Sequence, residues 1–218
     1  MQRRISFLSV ALALHAATTA AHAQRAAAPT RFGVLGGASA ATFHDAEAEM
    51  RHRVAALLGA YAVIAVSRHV AIRPELLYSM KGAQAREIVN SPAGPIPSTF
   101  TTNVDYVEVP VLARVEVAST GRVAPYLIGG PAVALRGVCD TEERGVVEIG
   151  RSTDCGDTVR RFDAGMVLGA GVAIGRIGAG ALDVGARYDV GLVRIVPGTS
   201  ERNRALSLTA GFEAPLPW

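Results

Sequence analysis

The sequence predicts an all-β protein, an eight-stranded antiparallel up-and-down transmembrane β-barrel. Apolar and polar residues alternate with period two over eight segments, which is typical of strands with two unlike faces. The connections between these segments are alternately short and long, as in barrels with turns on one side of a membrane and loops on the other. One face of the segments carries charges of both signs and the other is almost uncharged, which indicates a polar interior and an apolar wall.

The composition of the 218-residue chain excludes several other classes of protein. Half of the residues are hydrophobic and 19% are charged, which is too apolar for a long disordered chain. No uncharged apolar run reaches the roughly 18 residues that a membrane-spanning helix needs. Without Arg3 and Arg4 of the N-terminal leader, 20 basic residues (22 − 2) face 19 acidic ones, a net charge of +1. This balance predicts no nucleic-acid partner.

The first 23 residues have the three parts of a secretory signal peptide. Arg3 and Arg4 provide the positive start, residues 5–14 are apolar, and Ala-His-Ala at 21–23 is a small-x-small cleavage site. We therefore divide the chain into a signal peptide, residues 1–23, and a barrel domain, residues 24–218. The mature protein is expected to begin at Gln24, and N-terminal sequencing of protein from the cell envelope checks this.

The first four predicted strands include the clearest alternation in the chain. In residues 70–81, Ile72 and Leu76 lie on one face while Arg73 and Glu75 lie on the other. The first two strands alternate more weakly because both of their faces are small or apolar. The predicted ranges of the four strands are 30–41, 54–66, 70–81 and 104–117.

The last four predicted strands repeat the pattern, and glycines take many polar-face positions in the sixth. Each of the eight strands has about the 9–11 residues that cross a bilayer when tilted, or more. The predicted ranges of the last four strands are 123–136, 161–175, 182–193 and 205–213. Short turns are predicted around 67–69, 118–122 and 176–178, and long loops over 44–53, 82–103, 137–160 and 197–203.

The charged face carries seven basic and seven acidic residues, a balance that suits a closed interior because an unpaired buried charge is costly. The fourteen are Arg31, Arg73, Lys81, Arg114, Arg136, Arg161, Arg187, Glu75, Glu108, Glu116, Asp163, Asp183, Asp189 and Glu213. We predict that all of them except Arg31 form an interior ion-pair network. The alternative is a secreted lipocalin-like barrel, in which the apolar face points inward and the charges are solvated.

Aromatic residues on the uncharged face lie towards the strand ends. Tyr78 and Phe162 are on the loop side, Phe32 and Phe212 are on the turn side, and Trp218 ends the chain. This placement predicts the two girdles that mark the membrane interfaces of a barrel.

Export predicts an oxidising compartment, and Cys139 and Cys155 are the two cysteines of the chain. We therefore predict a disulfide between them in the third long loop. No catalytic residues, no metal and no cofactor are predicted, because the chain has no G-x-S-x-G motif and no calcium-loop spacing. The acidic and histidine residues of 44–52 are more typical of a solvated loop than of a metal site.

Several stretches resemble the outer-membrane β-barrel family that includes the PorT-type proteins. The most specific are "PELLYSMKGA" and "YVEVPVLAR". The resemblance also covers "RFGVLGGASA" before them and "APYLIGGPAVAL", "RFDAGMVLGAGVAIG", "LDVGARYDVGLVRI" and "NRALSLTAGFE" after them. The resemblance implies an integral outer-membrane barrel of a diderm bacterium, in contact with outer-membrane lipid, and no single activity. It also implies a C-terminal strand that the barrel-assembly machinery reads, with Trp218 as its aromatic; Pro215 and Pro217 depart from that pattern because proline cannot donate ladder hydrogen bonds.

Three functions follow from the sequence. The favoured one is a closed barrel with a structural or surface-binding role through its extracellular loops, because eight strands leave an interior that side chains fill. The second is a narrow porin-like channel for small solutes, and the third is the lipocalin-like binder.

Overall fold

A computed structural model describes residues 30–44, 50–91, 94–117, 121–144, 151–152, 159–177, 180–196 and 198–215. The predicted signal peptide, Cys155 and Trp218 lie outside these residues. Nine strands are described, eight of them long: β1 Arg31–His44, β2 Met50–Ala65, β3 Val70–Ser91, β4 Gly94–Glu116, β5 Val123–Arg144, β6 Arg151–Ser152, β7 Phe162–Ile177, β8 Gly180–Gly191 and β9 Arg202–Pro215.

The eight long strands form a closed antiparallel barrel, which confirms the predicted fold. Each long strand pairs with its neighbours along the chain, and the two-residue β6 adds to β5. The barrel closes where β1 pairs with β9, in a register that runs from Arg31 opposite Pro215 to His44 opposite Arg202. No helix among the described residues has the length and apolar character needed to cross a membrane.

The predicted loop over 82–103 is wrong, because most of it is a continuous hairpin. The β3–β4 ladder extends from Val70 opposite Val115 to Ser91 opposite Gly94. Alternation between an apolar and a polar face is the basis for predicting strands, and in this part of the chain it ends at Lys81. Backbone hydrogen bonds continue beyond that point, supported by β-favouring residues such as Thr99, Thr101 and Thr102.

The other predicted loops are also shorter than expected. Strand β2 begins at Met50, β5 continues to Arg144, and β9 begins at Arg202. Each extension lies on the loop side of the barrel, so the described residues on that side extend the sheet beyond the predicted strands. The short turns on the opposite side are confirmed between β2 and β3, β4 and β5, and β7 and β8.

The two faces of the barrel have opposite character, and the apolar face points outward. Leu208 is 66% exposed and Leu168 is 58% exposed, whereas Arg114 is fully buried. Because a lipocalin-like barrel would have the reverse arrangement, this distribution excludes it. Among the outward apolar residues are Val34, Leu58, Ile72, Leu76, Val109, Val111, Leu127, Val133, Leu168, Val184, Leu206 and Leu208.

An apolar cap, formed by a cluster of buried side chains, lies at the loop-side end of the barrel interior. Ile195, from the segment after β8, and Val159, from the segment before β7, pack on Val104 and Tyr106 of β4. Backbone hydrogen bonds tie these segments together: Arg160 N donates to Ile195 O at 2.8 Å and Ile195 N donates to Glu201 O at 2.9 Å. Among the described residues, apolar side chains are therefore packed together at the loop-side end of the interior.

Candidate functional site

The barrel interior is the candidate site, because the alternation of the strands brings most of the predicted charged residues there. In β3, the odd-numbered residues point inward, and Arg73, Glu75 and Lys81 are all buried. In β4, the even-numbered residues Glu108 and Arg114 are buried in the same way. Since successive side chains of a strand point to opposite faces, a single register decides the direction of all of them.

Arg114 is the centre of the turn-side half of the interior. Its Nη1 lies 3.1 Å from Glu213 Oε2 and 3.5 Å from Asp183 Oδ2. Its Nη2 lies 3.3 Å from Glu116 Oε1. Arg31 contacts two of the same carboxylates, with Nη2 at 3.1 Å from Glu116 Oε1 and Nη1 at 3.1 Å from Glu213 Oε1. The cluster reaches water at Arg31 and Glu116, which are partly exposed.

A chain of ion pairs continues from this cluster towards the loop side. Arg73 Nη1 lies 3.5 Å from Asp183 Oδ2, and Arg73 Nε lies 2.7 Å from Glu75 Oε1. The second oxygen of Glu75 is 2.6 Å from Arg187 Nη1, and Arg187 Nη2 is 3.3 Å from Asp189 Oδ1. Both arginines therefore bridge two carboxylates, so the charges form one connected array rather than isolated pairs.

The loop-side half of the interior holds a further ion pair and a hydrogen-bonded carboxylate. Lys81 Nζ lies 2.5 Å from Glu108 Oε1 and 5.8 Å from the centre of the Tyr106 ring. Asn203 Nδ2 donates to Asp163 Oδ2 at 2.7 Å and lies 3.3 Å from the Tyr106 hydroxyl. Asp163 was predicted as an ion-pair partner, and the structure gives it this amide donor.

The structure places two predicted network members differently. Arg161 is exposed and stands one residue before β7 begins, so its predicted position in the interior is wrong. The period-two pattern decides the direction of a side chain only within a strand, and Arg161 lies outside β7. Arg136 is half-buried, and its Nη1 donates to the carbonyl oxygen of Val159 in the cap segment.

Two interior tyrosines, which are not among the predicted site residues, stack on the arginines. Arg73 Cζ lies 3.8 Å from the centre of the Tyr61 ring, and Arg114 Cζ lies 4.1 Å from the centre of the Tyr126 ring. The Tyr126 hydroxyl also donates to Asp183 Oδ1 at 2.8 Å. Arginine over the face of an aromatic ring is stabilised by about 0.5–2 kcal/mol, more where the pair is desolvated.

Each of these tyrosines lies over a glycine on the neighbouring strand. Tyr61 is directly opposite Gly33, and Tyr126 is directly opposite Gly171. A Cβ at Gly33 would be 2.4 Å from Tyr61 Cζ, and a Cβ at Gly171 would be 2.4 Å from the Tyr126 hydroxyl. Because glycine has no side chain, each of these positions leaves room for a tyrosine ring. Pairing each tyrosine with its glycine requires the strand register, which a single sequence does not show.

The predicted interface aromatics are on the outer surface where the structure describes them. Phe32, Phe162 and Phe212 are exposed, and Tyr78 is half-buried. The Tyr78 hydroxyl donates to Asp105 Oδ2 at 2.6 Å, so its polar end has a partner beside the apolar wall. Trp218 lies outside the described residues, and its role stays a prediction.

Cys139 is buried in the apolar cluster of the cap, while Cys155 lies outside the described residues, so their disulfide stays a prediction. Closing a loop of this size restricts the unfolded chain by about 3 kcal/mol in the entropic model. Because the barrel is held by its strand ladder, replacing both cysteines by serine is expected to leave the barrel folded and to make the loop more sensitive to added protease. Complete thiol labelling of both cysteines on intact cells without reductant would contradict the disulfide.

The interior serines are not paired with the histidines whose side chains the structure describes. His52 and His69 are exposed, whereas Ser79 and Ser207 are buried inside the barrel, so these serines have neither histidine beside them as a base. Within the described part of the chain, no group of three or more histidine, cysteine, aspartate or glutamate side chains is arranged to hold a metal ion.

Comparison with known proteins gives one family and several structures of similar fold. The model of the family described as "Outer membrane protein beta-barrel domain" matches residues 22–196. Neisserial surface protein A is 15% identical with a TM-score of 0.42, over 85% of this chain and 97% of that chain. OprG from Pseudomonas aeruginosa is 10% identical with a TM-score of 0.45, over 86% of this chain and 97% of that chain.

Ail, the attachment invasion locus protein of Yersinia pestis, is 9% identical with a TM-score of 0.43, over 85% of this chain and 99% of that chain. No curated protein matches the chain.

The family match covers well over half of the residues. The chain therefore belongs to the outer membrane protein β-barrel domain family, which locates it in a bacterial outer membrane.

Proposed function

We propose that this protein is a closed outer-membrane barrel that acts through its outward sheet, in a structural or surface-binding role, and conducts no solute. The observation that carries the proposal is the filling of the interior from both ends. Arg114 and Glu213 are fully buried in the turn-side half, and Ile195 and Val159 cover the loop-side end. The proposal includes no catalytic step and no cofactor.

The strength of the barrier supports a closed barrel over the porin-like alternative. A solute on the barrel axis would have to separate Arg73 from Glu75 and Arg187 from Glu75, which are buried and in direct contact. Removing one partner from a buried ion pair costs about 3–5 kcal/mol. The solute would also have to displace the apolar cap, in which both the N–H and the carbonyl group of Ile195 form backbone hydrogen bonds.

The outward sheet supports a role in surface binding. Strands β3 and β4 are 22 and 23 residues long, about twice the length that crosses a bilayer. Their hairpin therefore extends well beyond the membrane on the loop side, and Arg86 and Ile88 are exposed on it. Because the β3–β4 ladder fixes the backbone of this extension, it presents a more defined surface to a partner outside the cell than an irregular loop would.

Conductance in planar lipid bilayers tests the proposal. The purified full-length protein is expected to produce no ohmic current steps, because charged side chains fill the interior and the cap covers it. Ile195→Gly, which loosens the cap alone, is expected to remain silent because the charges below it are unchanged. Reproducible single-channel steps from the unmodified protein would favour the narrow channel and overturn the proposal, and steps from Ile195→Gly alone would show that the cap, not the charge array, is the barrier.

A further inference from the structure

Three exposed arginines lie together on the loop-side rim of the barrel. Arg160 and Arg161 precede β7, and Arg194 follows β8. The hydrogen bond from Arg160 N to Ile195 O places the first segment directly beside the second. Arg161, which was predicted to lie inside the barrel, is therefore exposed on this rim.

Basic residues outnumber acidic residues in the chain segments that form this rim. Segments 159–162, 192–196 and 200–204 are adjacent through backbone hydrogen bonds and strand pairing, and they contain five arginines and one glutamate. The acidic residues of the neighbouring strands are directed into the barrel, where Asp163 is bound by Asn203 and Asp189 by Arg187. Asp163 and Asp189 thus have their partners inside the barrel, and the described residues of these three segments are mainly basic.

Apolar residues lie immediately below these arginines on the outer wall. Phe162 is 49% exposed and its cross-strand partner Leu135 is 61% exposed, and Leu192 is 60% exposed. Val159, Arg160, Arg161, Phe162 and Val193 line a concave site of about 380 Å³ at this boundary. Two of the exposed arginines, Arg160 and Arg161, therefore line the same site as the apolar Phe162 and Val193.

We propose that this rim is a binding site for a phosphate-bearing lipid of the membrane leaflet on the loop side. Guanidinium groups bind phosphate oxygens through paired hydrogen bonds, and clustered basic residues at a membrane surface attract anionic headgroups. Exposed aromatic rings such as Phe162 are typical of the membrane interface, and the exposed apolar residues Leu135 and Leu192 suit contact with acyl chains. A free phosphate ion would use the arginines but not the apolar surface, so the site favours a lipid.

The test is retention of lipid by the full-length barrel in detergent, measured by native mass spectrometry. Phosphatidic acid is titrated against phosphatidylcholine with the same acyl chains, and inorganic phosphate is added in a separate arm. The unmodified barrel is expected to retain phosphatidic acid at least about tenfold better than the triple variant R160Q/R161Q/R194Q. The matched control R68Q/R122Q, which removes exposed arginines from the turn side, is expected to retain it like the unmodified protein.

Three results would overturn the proposal. The first is equal retention by the rim variant and the turn-side control, and the second is equal retention of phosphatidylcholine by the unmodified barrel. The third is displacement of phosphatidic acid by inorganic phosphate at equal concentration, which would identify a simple anion site. Heat-dependent gel migration of each variant establishes that the barrel has folded before retention is compared.

Discussion

Replacing Arg114 by alanine is expected to lower the free energy of unfolding of the barrel by about 3–5 kcal/mol. The change removes the guanidinium that Glu116, Asp183 and Glu213 share and leaves three carboxylates close together, of which Asp183 and Glu213 are fully buried. It also removes the stacking on Tyr126. The remaining arginines of the cluster stay in contact with these carboxylates, so the loss is expected at the lower end of the range.

Urea unfolding of the barrel in lipid vesicles, followed by heat-dependent gel migration, measures this loss. Arg122→Ala is the matched control, because Arg122 is exposed at the turn between β4 and β5 and is expected to change the unfolding free energy by less than about 0.5 kcal/mol. Glu108→Ala probes the loop-side half, where it leaves the buried Lys81 without its carboxylate. If Arg114→Ala and Glu108→Ala both leave stability and assembly unchanged, the interior charges do not stabilise the barrel as a network.

Gly33→Ala is expected to destabilise the barrel by about 1–3 kcal/mol, the usual cost of adding a methyl group to a filled interior. The new Cβ would be 2.4 Å from Tyr61 Cζ and 2.7 Å from both Cε1 and the hydroxyl. The ring must therefore move away from Gly33, and the stacked Arg73 loses its contact with it. Gly171→Ala is expected to act in the same way through Tyr126 on the opposite part of the barrel.

Gly36→Ala is the matched control on the same strand, since its added Cβ would meet Leu57 O at an ordinary 3.8 Å. The same urea titration compares the two variants. A Gly33→Ala barrel as stable as the Gly36→Ala barrel would mean that the Tyr61 ring relaxes without cost. Tyr61→Leu in the Gly33→Ala background separates the two explanations, because removing the ring should restore part of the lost stability if the clash is its cause.

The face to which most strand residues point could be predicted from the sequence. In β3, the alternation of Ile72 and Leu76 with Arg73 and Glu75 was enough, because side chains of a strand alternate with a period of two and one face must meet lipid. The balance of charge on the inner face was predictable for the same reason. Where alternation is absent, as in residues 82–103, the same rule could not find the strands that the structure contains.

The partners of the interior residues could not be predicted, because they come together only when the barrel closes. Arg187 and Glu75 are separated by 112 positions in the chain, and their contact depends on the curvature and the register of the whole sheet. The glycine under each stacked tyrosine depends on register alone, which one chain without relatives does not reveal.

The sequence by itself determined the class of this protein: the period of the strands, the apolar wall and the polar interior all follow from local patterns. The tertiary structure decided how the interior is closed. It brought Ile195 and Val159 over the loop-side end and turned Arg161 outward to the rim. Both segments lie between strands, where no periodic rule decides the direction of a side chain, so packing against the closed barrel was the physical cause of their positions.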